Sequence, residues 1–183
     1  MPAQGYLVGN RVCIWDREEA RRLYKEGFYG KPLGIPKPKG ADFDAPLLLD
    51  LLEAYYLCKK GRLYILDIRS GRPVSLEGLR RRCVREYVEF AEKYMVYEHL
   101  RERGFVVTPG IKFGCDFAVY EQGPGIDHAP YLIQVFRPSA EITAPHIVLA
   151  GRLANTVRKK YIMALADRRR KKISLLGFEW WRA

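Results

Sequence analysis

Tyr120 closes the apolar run FAVY, and His128 stands just ahead of a second run, YLIQVF. The turn-rich segment EQGPGID, with Gly123, Pro124 and Gly125, separates the two. Further along, Lys159 is the first lysine of VRKK. A phenol, an imidazole and an ammonium group are enough, without a metal, for one kind of chain cleavage. One group takes the proton of an RNA 2′-hydroxyl, a second protonates the departing 5′-oxygen, and the cation stabilises charge developing on phosphorus. Taken singly, each residue has a plainer reading. A histidine before a strand is commonly a surface residue, and a tyrosine at a strand end commonly packs.

Arg152 presents the same choice. In IVLAGRLANTVRKK, the residues Ile147, Ala150, Ala154 and Val157 make an apolar stripe at helical spacing. At about 100° per residue, Arg152 points away from that stripe, and Lys159 projects from nearly the same side. The pair is either a solvated basic face or a phosphate-binding face beside the strand edges.

Charge favours a polyanion. The 183 residues hold 32 Lys and Arg against 21 Asp and Glu, a net charge of +11. Residues 158–172, RKKYIMALADRRRKK, carry eight basic groups and one acidic, so +7 of the excess lies there. Two basic clusters flanking an apolar strand suit nucleic acid, the commonest polyanion. No apolar run nears the roughly 20 residues that span a bilayer. The N-terminus has no charged segment followed by an apolar one, so a signal peptide is not expected and the cytoplasm is the default. The four cysteines are scattered and only three histidines are present, so neither a metal nor any other cofactor is expected.

These residues need a scaffold, and the chain supplies signals for one. YLVGNRVCIW reads as a strand pair around Gly9 and Asn10, and DREEARRLYKEGFYG as a helix capped by Asp16 and stopped at Gly27. DAPLLLDLLEAYYLCKKG reads as a helix with Asp44 at its cap and Pro46 in its first turn. RLYILDI is a strand. A second unit begins near Val84, with a helix whose apolar residues fall at 84, 87, 88, 91, 94 and 95. Strands FVVTP, CDFAVY and YLIQVF follow, then the helix that starts after TAPH, then YIMALA and a final apolar run, ISLLGFEWW. The expected class is α/β, with mixed sheets: a small N-terminal α/β domain over residues 1–83 and a C-terminal α/β domain with a central mixed sheet over 84–183.

Three segments in order, KFGCDFAVYEQG, IDHAPYLIQVF and LANTVRKKYIMALAD, resemble the C-terminal catalytic domain of archaeal tRNA-splicing endonucleases. The likeness runs back through EYVEFAEKYMVYEHLRERGFVVTPGIKFG and, more weakly, through LLLDLLEAYYLCKKGRLYI. It implies a nuclease-like domain that cuts precursor tRNA at a bulge–helix–bulge fold without metal, leaving a 2′,3′-cyclic phosphate and a 5′-hydroxyl. By this resemblance Tyr120 is the general base, His128 the general acid and Lys159 the cation at the transition state. Arg152 matches an arginine that holds a flipped bulge base by cation–π stacking. Arg158 and Lys160, beside Lys159, join it as expected RNA contacts. Free tyrosine titrates near pH 10, so a base role calls for local depression, which the basic clusters could supply.

The chain also departs from the family's homotetramers. Where these carry an acidic loop such as DADGD after the penultimate strand, it reads DRRRKK. Like charges oppose the docking that such a loop performs. The implied assembly is heteromeric: two copies of this catalytic chain, and two of a structural subunit that supplies the acidic loop. The Pro/Gly-rich loop from Lys31 to Phe43 is long, and its Lys37 and Lys39 are either RNA contacts or part of a surface insertion. ISLLGFEWW offers an apolar strand edge, and Trp180 and Trp181 suit a buried contact or core packing. Two other classes compete. A metal-dependent nuclease would use Asp116 with an acid-x-Lys on the next strand, but that strand reads Gln134-Val135-Phe136. A non-catalytic RNA-binding or structural subunit would need the basic surface alone.

Overall fold

A computed structural model describes residues 1–36, 38, 40–156 and 159–178, and the chain divides into two compact units, Met1–Phe90 and Ala91–Ala183. Each unit is built on one five-stranded mixed sheet with helices, so the α/β class expected from the sequence is the class observed. The division comes after Phe90, whereas the expected boundary at 83/84 would cut through a helix of the first unit.

The first unit opens with the hairpin β1 (Ala3–Val8) and β2 (Arg11–Ile14), turning at Gly9 with φ 58°. Helix α1 (Arg17–Gly27) starts at Asp16, whose carboxylate accepts from the Glu19 N–H at 2.8 Å. It ends at Phe28 in the left-handed region, one residue beyond the expected glycine stop. A two-residue strand, β3 (Lys31–Pro32), is followed by β4 (Leu47–Asp50), α2 (Leu51–Lys59) and β5 (Leu63–Asp67). The helix expected from Asp44 onward is therefore strand over Leu47–Asp50 and helix only from Leu51. Leu47 and Leu49 are fully buried and pair with Ile14 and Val12 across β2, which alternation serves and a helix would forfeit. Asp50, not Asp44, caps α2, in a capping box completed by Glu53. Asp44 is exposed and forms an ion pair with Arg17 at 3.4 Å.

Helix α3 (Leu76–Glu86) begins at Ser75 as N-cap, over residues to which the sequence assigned no element before Val84. Tyr87 and Glu89 (φ 57°) break the expected continuous helix before α4 (Phe90–Glu102) begins. The cause is tertiary. The Tyr87 hydroxyl donates to Asp50, which anchors the break to the start of α2. Val84 and Val88, assigned to the inner stripe, are exposed instead.

In the second unit the order along the sheet is β10–β9–β8–β7–β6, comprising β6 (Val106–Pro109), β7 (Phe117–Tyr120), β8 (Tyr131–Phe136), β9 (Lys160–Asp167) and β10 (Lys172–Phe178). All neighbours are antiparallel except β8 and β9, which α5 (Ala144–Thr156) joins as a crossover. The inward face of α5 is His146, Ala150 and Leu153: the His146 ring meets Phe136 edge-on at 5.7 Å, and Ala150 and Leu153 join the core under the sheet. Ile147, placed on the inner stripe by spacing, is 49% exposed. The stripe's remaining members, the Ala154 side chain and Val157, lie outside the described residues.

A 3₁₀ turn (Ile111–Phe113) links β6 and β7, with Gly110 at its start. A Cβ on Gly110 would lie 2.6 Å from the Cys115 sulfur and 2.9 Å from the Phe117 backbone carbon. Gly110→Ala is therefore expected to destabilise this unit by about 1–3 kcal/mol, the usual cost of overpacking a rigid site. A thermal melt checks it, and an unchanged Tm would show that the turn can give way.

Candidate active site

The β7–β8–β9 registers bring three distant residues to one end of the sheet. Val119 pairs with Tyr131, so Tyr120 leaves β7 beside Pro130; Tyr131 pairs with Lys160, so Lys159 enters β9 on the other side of the same proline. The Lys160 N–H donates to the Pro130 carbonyl at 2.8 Å. Lys159 Nζ donates to the carbonyl of Ala129, the residue after His128. His128 is exposed. A half-buried phenol, an open imidazole and a half-buried ammonium thus share one corner.

Asp127 holds that corner together, although the sequence reading gave it no role of its own. Its Oδ2 accepts from the N–H groups of Glu121 at 3.0 Å and Gln122 at 3.3 Å, and its Oδ1 from Gly123 at 2.7 Å. Burial by itself would raise its pKa, but these backbone donors together hold the carboxyl below its ordinary value. It stays ionised, folding the loop back so that His128 is delivered next to β8. Asp127→Ala frees three backbone donors, and the misplacement of His128 is expected to cost about 10²-fold in the rate on bound RNA. Asp127→Asn, which keeps one acceptor oxygen, should fall between. A single-turnover assay on both variants decides it, and native rates would leave the loop without a positioning role.

Charge in the corner differs from expectation in one respect. Burial raises the Tyr120 pKa, with a hydrogen bond to Thr108 opposing and the Asp127 carboxylate adding to the rise. The depression that the basic clusters could have supplied is thus not found in the free protein: burial, and after it the Asp127 carboxylate, act the other way. Lys159 moves the other way. Burial and then the charge of Lys112 lower its pKa, with Asp127 opposing.

The remaining expected contacts separate in the structure. Arg152 is exposed on α5, on the side away from Ala150, and Lys160 is exposed at the start of β9. Lys37, Lys39 and Arg158 lie outside the described residues, as do Trp180 and Trp181. Asp116, the residue a metal-dependent reading would need, is occupied. Lys93 Nζ reaches it at 2.7 Å, and Gln134 Nε2 and the Val135 N–H each donate at 2.8 Å. Among the described residues, no three His, Cys, Asp or Glu side chains gather in a way that could hold a metal ion. None of the described helices is long and apolar enough to cross a membrane.

Residues 90–174 match the tRNA intron endonuclease catalytic C-terminal domain, and residues 3–80 match the N-terminal domain of the same family. The chain belongs to the tRNA intron endonuclease family. It is 52% identical over 174 residues to the tRNA-splicing endonuclease of Hyperthermus butylicus, covering 95% of this chain and 96% of that one. To the tRNA-splicing endonuclease of Pyrobaculum aerophilum it is 46% identical, covering 96% and 97%, and to that of Saccharolobus solfataricus 42%, covering 95% and 96%. The catalytic-domain match contains Tyr120, His128, Lys159 and Asp127, so the corner described above lies in the family's catalytic domain. The enzyme class expected from the sequence, an RNA endonuclease, is the class of this family.

Sequence reasoning passed over Asp127, Thr108 and the Lys112-Phe113 pair. The signal for two of these lay in the quoted KFG and in the acid that precedes His128. Their roles needed the strand registers.

Proposed function

We propose that the chain is the catalytic subunit of a tRNA-splicing endonuclease that cuts precursor tRNA at bulge–helix–bulge sites in the cytoplasm. The observation that carries this reading is the convergence of Tyr120, His128 and Lys159 around Pro130. In the reaction the 2′-hydroxyl attacks its own 3′-phosphate, forming the 2′,3′-cyclic ester. The bond from phosphorus to the 5′-oxygen breaks, and that oxygen takes a proton. Tyr120, deprotonated within the RNA complex, takes the 2′-hydroxyl proton, His128 supplies a proton to the 5′-oxygen from the open side, and Lys159 sits against the phosphate as charge accumulates. No step calls on a metal. Arg152, exposed on α5, stacks on an unpaired bulge base. Lys37, Lys39, Arg158 and Lys160 add phosphate contacts.

The assembly is read as two copies of this chain with two of a structural subunit that brings an acidic loop. Asp167 supports that reading. It accepts from the N–H groups of Arg169 and Arg170 at 3.0 Å each and is spent on its own turn, within a loop that is otherwise basic. At the sheet edge, β10 presents Leu175 and Leu176 half-exposed, which suits pairing between copies.

The experiment is cleavage of a bulge–helix–bulge RNA in EDTA, by the chain alone and with an acidic-loop partner, with the product ends analysed. Cyclic phosphate and 5′-hydroxyl ends only in the mixture are the expected result. The same ends from the chain alone would remove the heteromer. Binding without cleavage in both samples would remove the catalytic assignment.

A further inference from the structure

The 3₁₀ turn ahead of β7 holds a second cation at the active-site corner. Lys112 Nζ lies 4.8 Å from the centroid of the Phe113 ring, and Lys159 Nζ lies 5.5 Å from the same centroid. Two ammonium groups therefore share one aromatic ring, and their separation cannot exceed the sum of those two distances. Phe113 is fixed from below, because it packs against the core cluster that contains Cys115, Ala129 and Tyr161.

The turn that carries it is tied at both ends. The Gly110 N–H donates to Asp116 O at 2.9 Å, and the Phe113 N–H donates to Gly110 O at 2.8 Å. Gly114 closes the turn at φ 72°, a conformation that favours glycine. This is a built platform rather than a lysine on a loose loop.

Neither ammonium is neutralised. Among the described residues Lys159 donates to a neutral carbonyl, and Lys112 meets only the ring. The carboxylate whose charge bears on Lys159, Asp127, already accepts from three backbone donors. Like charges beside one ring disfavour each other in the empty protein, and bound phosphates relieve that. Lys112 is exposed, and Ile111 beside it is 78% exposed, so the approach is open. The mutual effect is visible in Lys159, whose proton affinity the Lys112 charge lowers, second to burial.

We propose that Lys112 binds the RNA backbone phosphate adjacent to the one cleaved, beside the Phe113 ring that it shares with Lys159, and so adds to the affinity for the strand. The inference rests on the reading of Lys159 as the cation at the cleaved phosphate. Lys159 is partly buried and already anchored beside His128, so it serves the reacting group. Lys112 is exposed on the neighbouring turn and serves the next phosphate along. Its contribution is to binding rather than to charge on the reacting phosphorus.

The test uses the cleaving assembly under single-turnover conditions, with Lys112→Ala, Lys112→Arg and, separately, Lys159→Ala. For Lys112→Ala the RNA concentration at half-maximal rate should rise about tenfold, the order expected for one lost base or phosphate contact. The slope of log affinity against log salt should shrink by about 0.7–0.9, the counterion release of one phosphate. The rate at saturating RNA should change by less than about threefold, and Tm should be unchanged, as befits an exposed side chain. Lys112→Arg should restore the salt slope.

An RNA with an uncharged methylphosphonate at either neighbour of the cleaved position locates the contact. At one of the two positions it should weaken the native enzyme as Lys112→Ala does and have no further effect on that variant. An unchanged salt slope in Lys112→Ala, or additive losses at both positions, would overturn the proposal. A native saturating rate in Lys159→Ala would instead overturn the reading on which it rests, whatever Lys112 does.

Discussion

His128→Ala is expected to slow single-turnover cleavage of a bulge–helix–bulge RNA by about 10²–10⁴, the usual worth of one general acid. Little else should change. The imidazole is exposed, and among the described residues it makes no hydrogen bond or ion pair, so its removal leaves the loop's support intact. That support comes from Asp127 on one side and from Lys159 on the Ala129 carbonyl on the other. RNA affinity and Tm should therefore match the native protein. The separation of effects is what makes the prediction informative. A binding subunit with no chemistry of its own would be indifferent to the change, and so would a nuclease working through some other corner of the fold. Native cleavage by His128→Ala would end the catalytic reading, and a large loss of Tm would mean that the residue is structural.

Tyr120→Phe should produce a loss of similar order, about 10²–10⁴, because it removes only the hydroxyl and leaves the ring packed against the core. The accompanying pH behaviour is more specific. Burial and Asp127 raise this tyrosine's pKa above its ordinary value, against a hydrogen bond to Thr108. The phenol is thus held in its neutral form more firmly than a free tyrosine. The native state keeps a proton that the unfolded chain loses above about pH 10. The stability this group contributes is therefore full below that pH and is lost as the pH rises through the higher native value. Tyrosine labelled at Cζ and followed by NMR reports it directly. The Tyr120 resonance should have its midpoint above the ordinary tyrosine value. Titration below pH 9 would contradict the burial account. If the midpoint is so raised and Tyr120→Phe is inactive, the phenol acts in its neutral form as a guide for the 2′-hydroxyl, or it loses its proton only within the RNA complex. Thr108→Val separates these roles further. Loss of the opposing hydrogen bond should push the phenol higher still and slow any step that needs the phenolate.

Much of the catalytic unit was legible in the sequence because its elements are decided locally. The alternation in FAVY and YLIQVF reads as strand in any context, and the order of helix, three strands, helix and two strands was found as expected. Residue types with spacing named Tyr120, His128 and Lys159 as a possible set, and three motifs in order assigned them to a family. What failed was decided by partners distant in the chain. Leu47–Asp50 is a strand because β2 needed a neighbour for Val12 and Ile14, although the same leucines continue smoothly into a helical run. The helix through residues 84–102 breaks because Tyr87 reaches Asp50, a contact no local period records. Ile147 faces outward because α5 sits on the sheet through His146, Ala150 and Leu153, a face one position round from the expected stripe.

The candidate site divides along the same line. Which residues could do the chemistry is a matter of functional groups, and the amino-acid sequence by itself determined that. Whether they meet is a matter of register. Only the antiparallel pairing of β7 with β8 and the parallel pairing of β8 with β9 bring residues 120 and 159 to the two sides of Pro130. Electrostatics was decided last and entirely by the tertiary structure. The basic clusters could have supplied the depression that a tyrosine base needs, but ionisation answers first to burial and then to local partners, and for Tyr120 burial and the Asp127 carboxylate raise the pKa. The two lysines that share the Phe113 ring are 47 positions apart in the chain, 159 minus 112, and no spacing rule would join them.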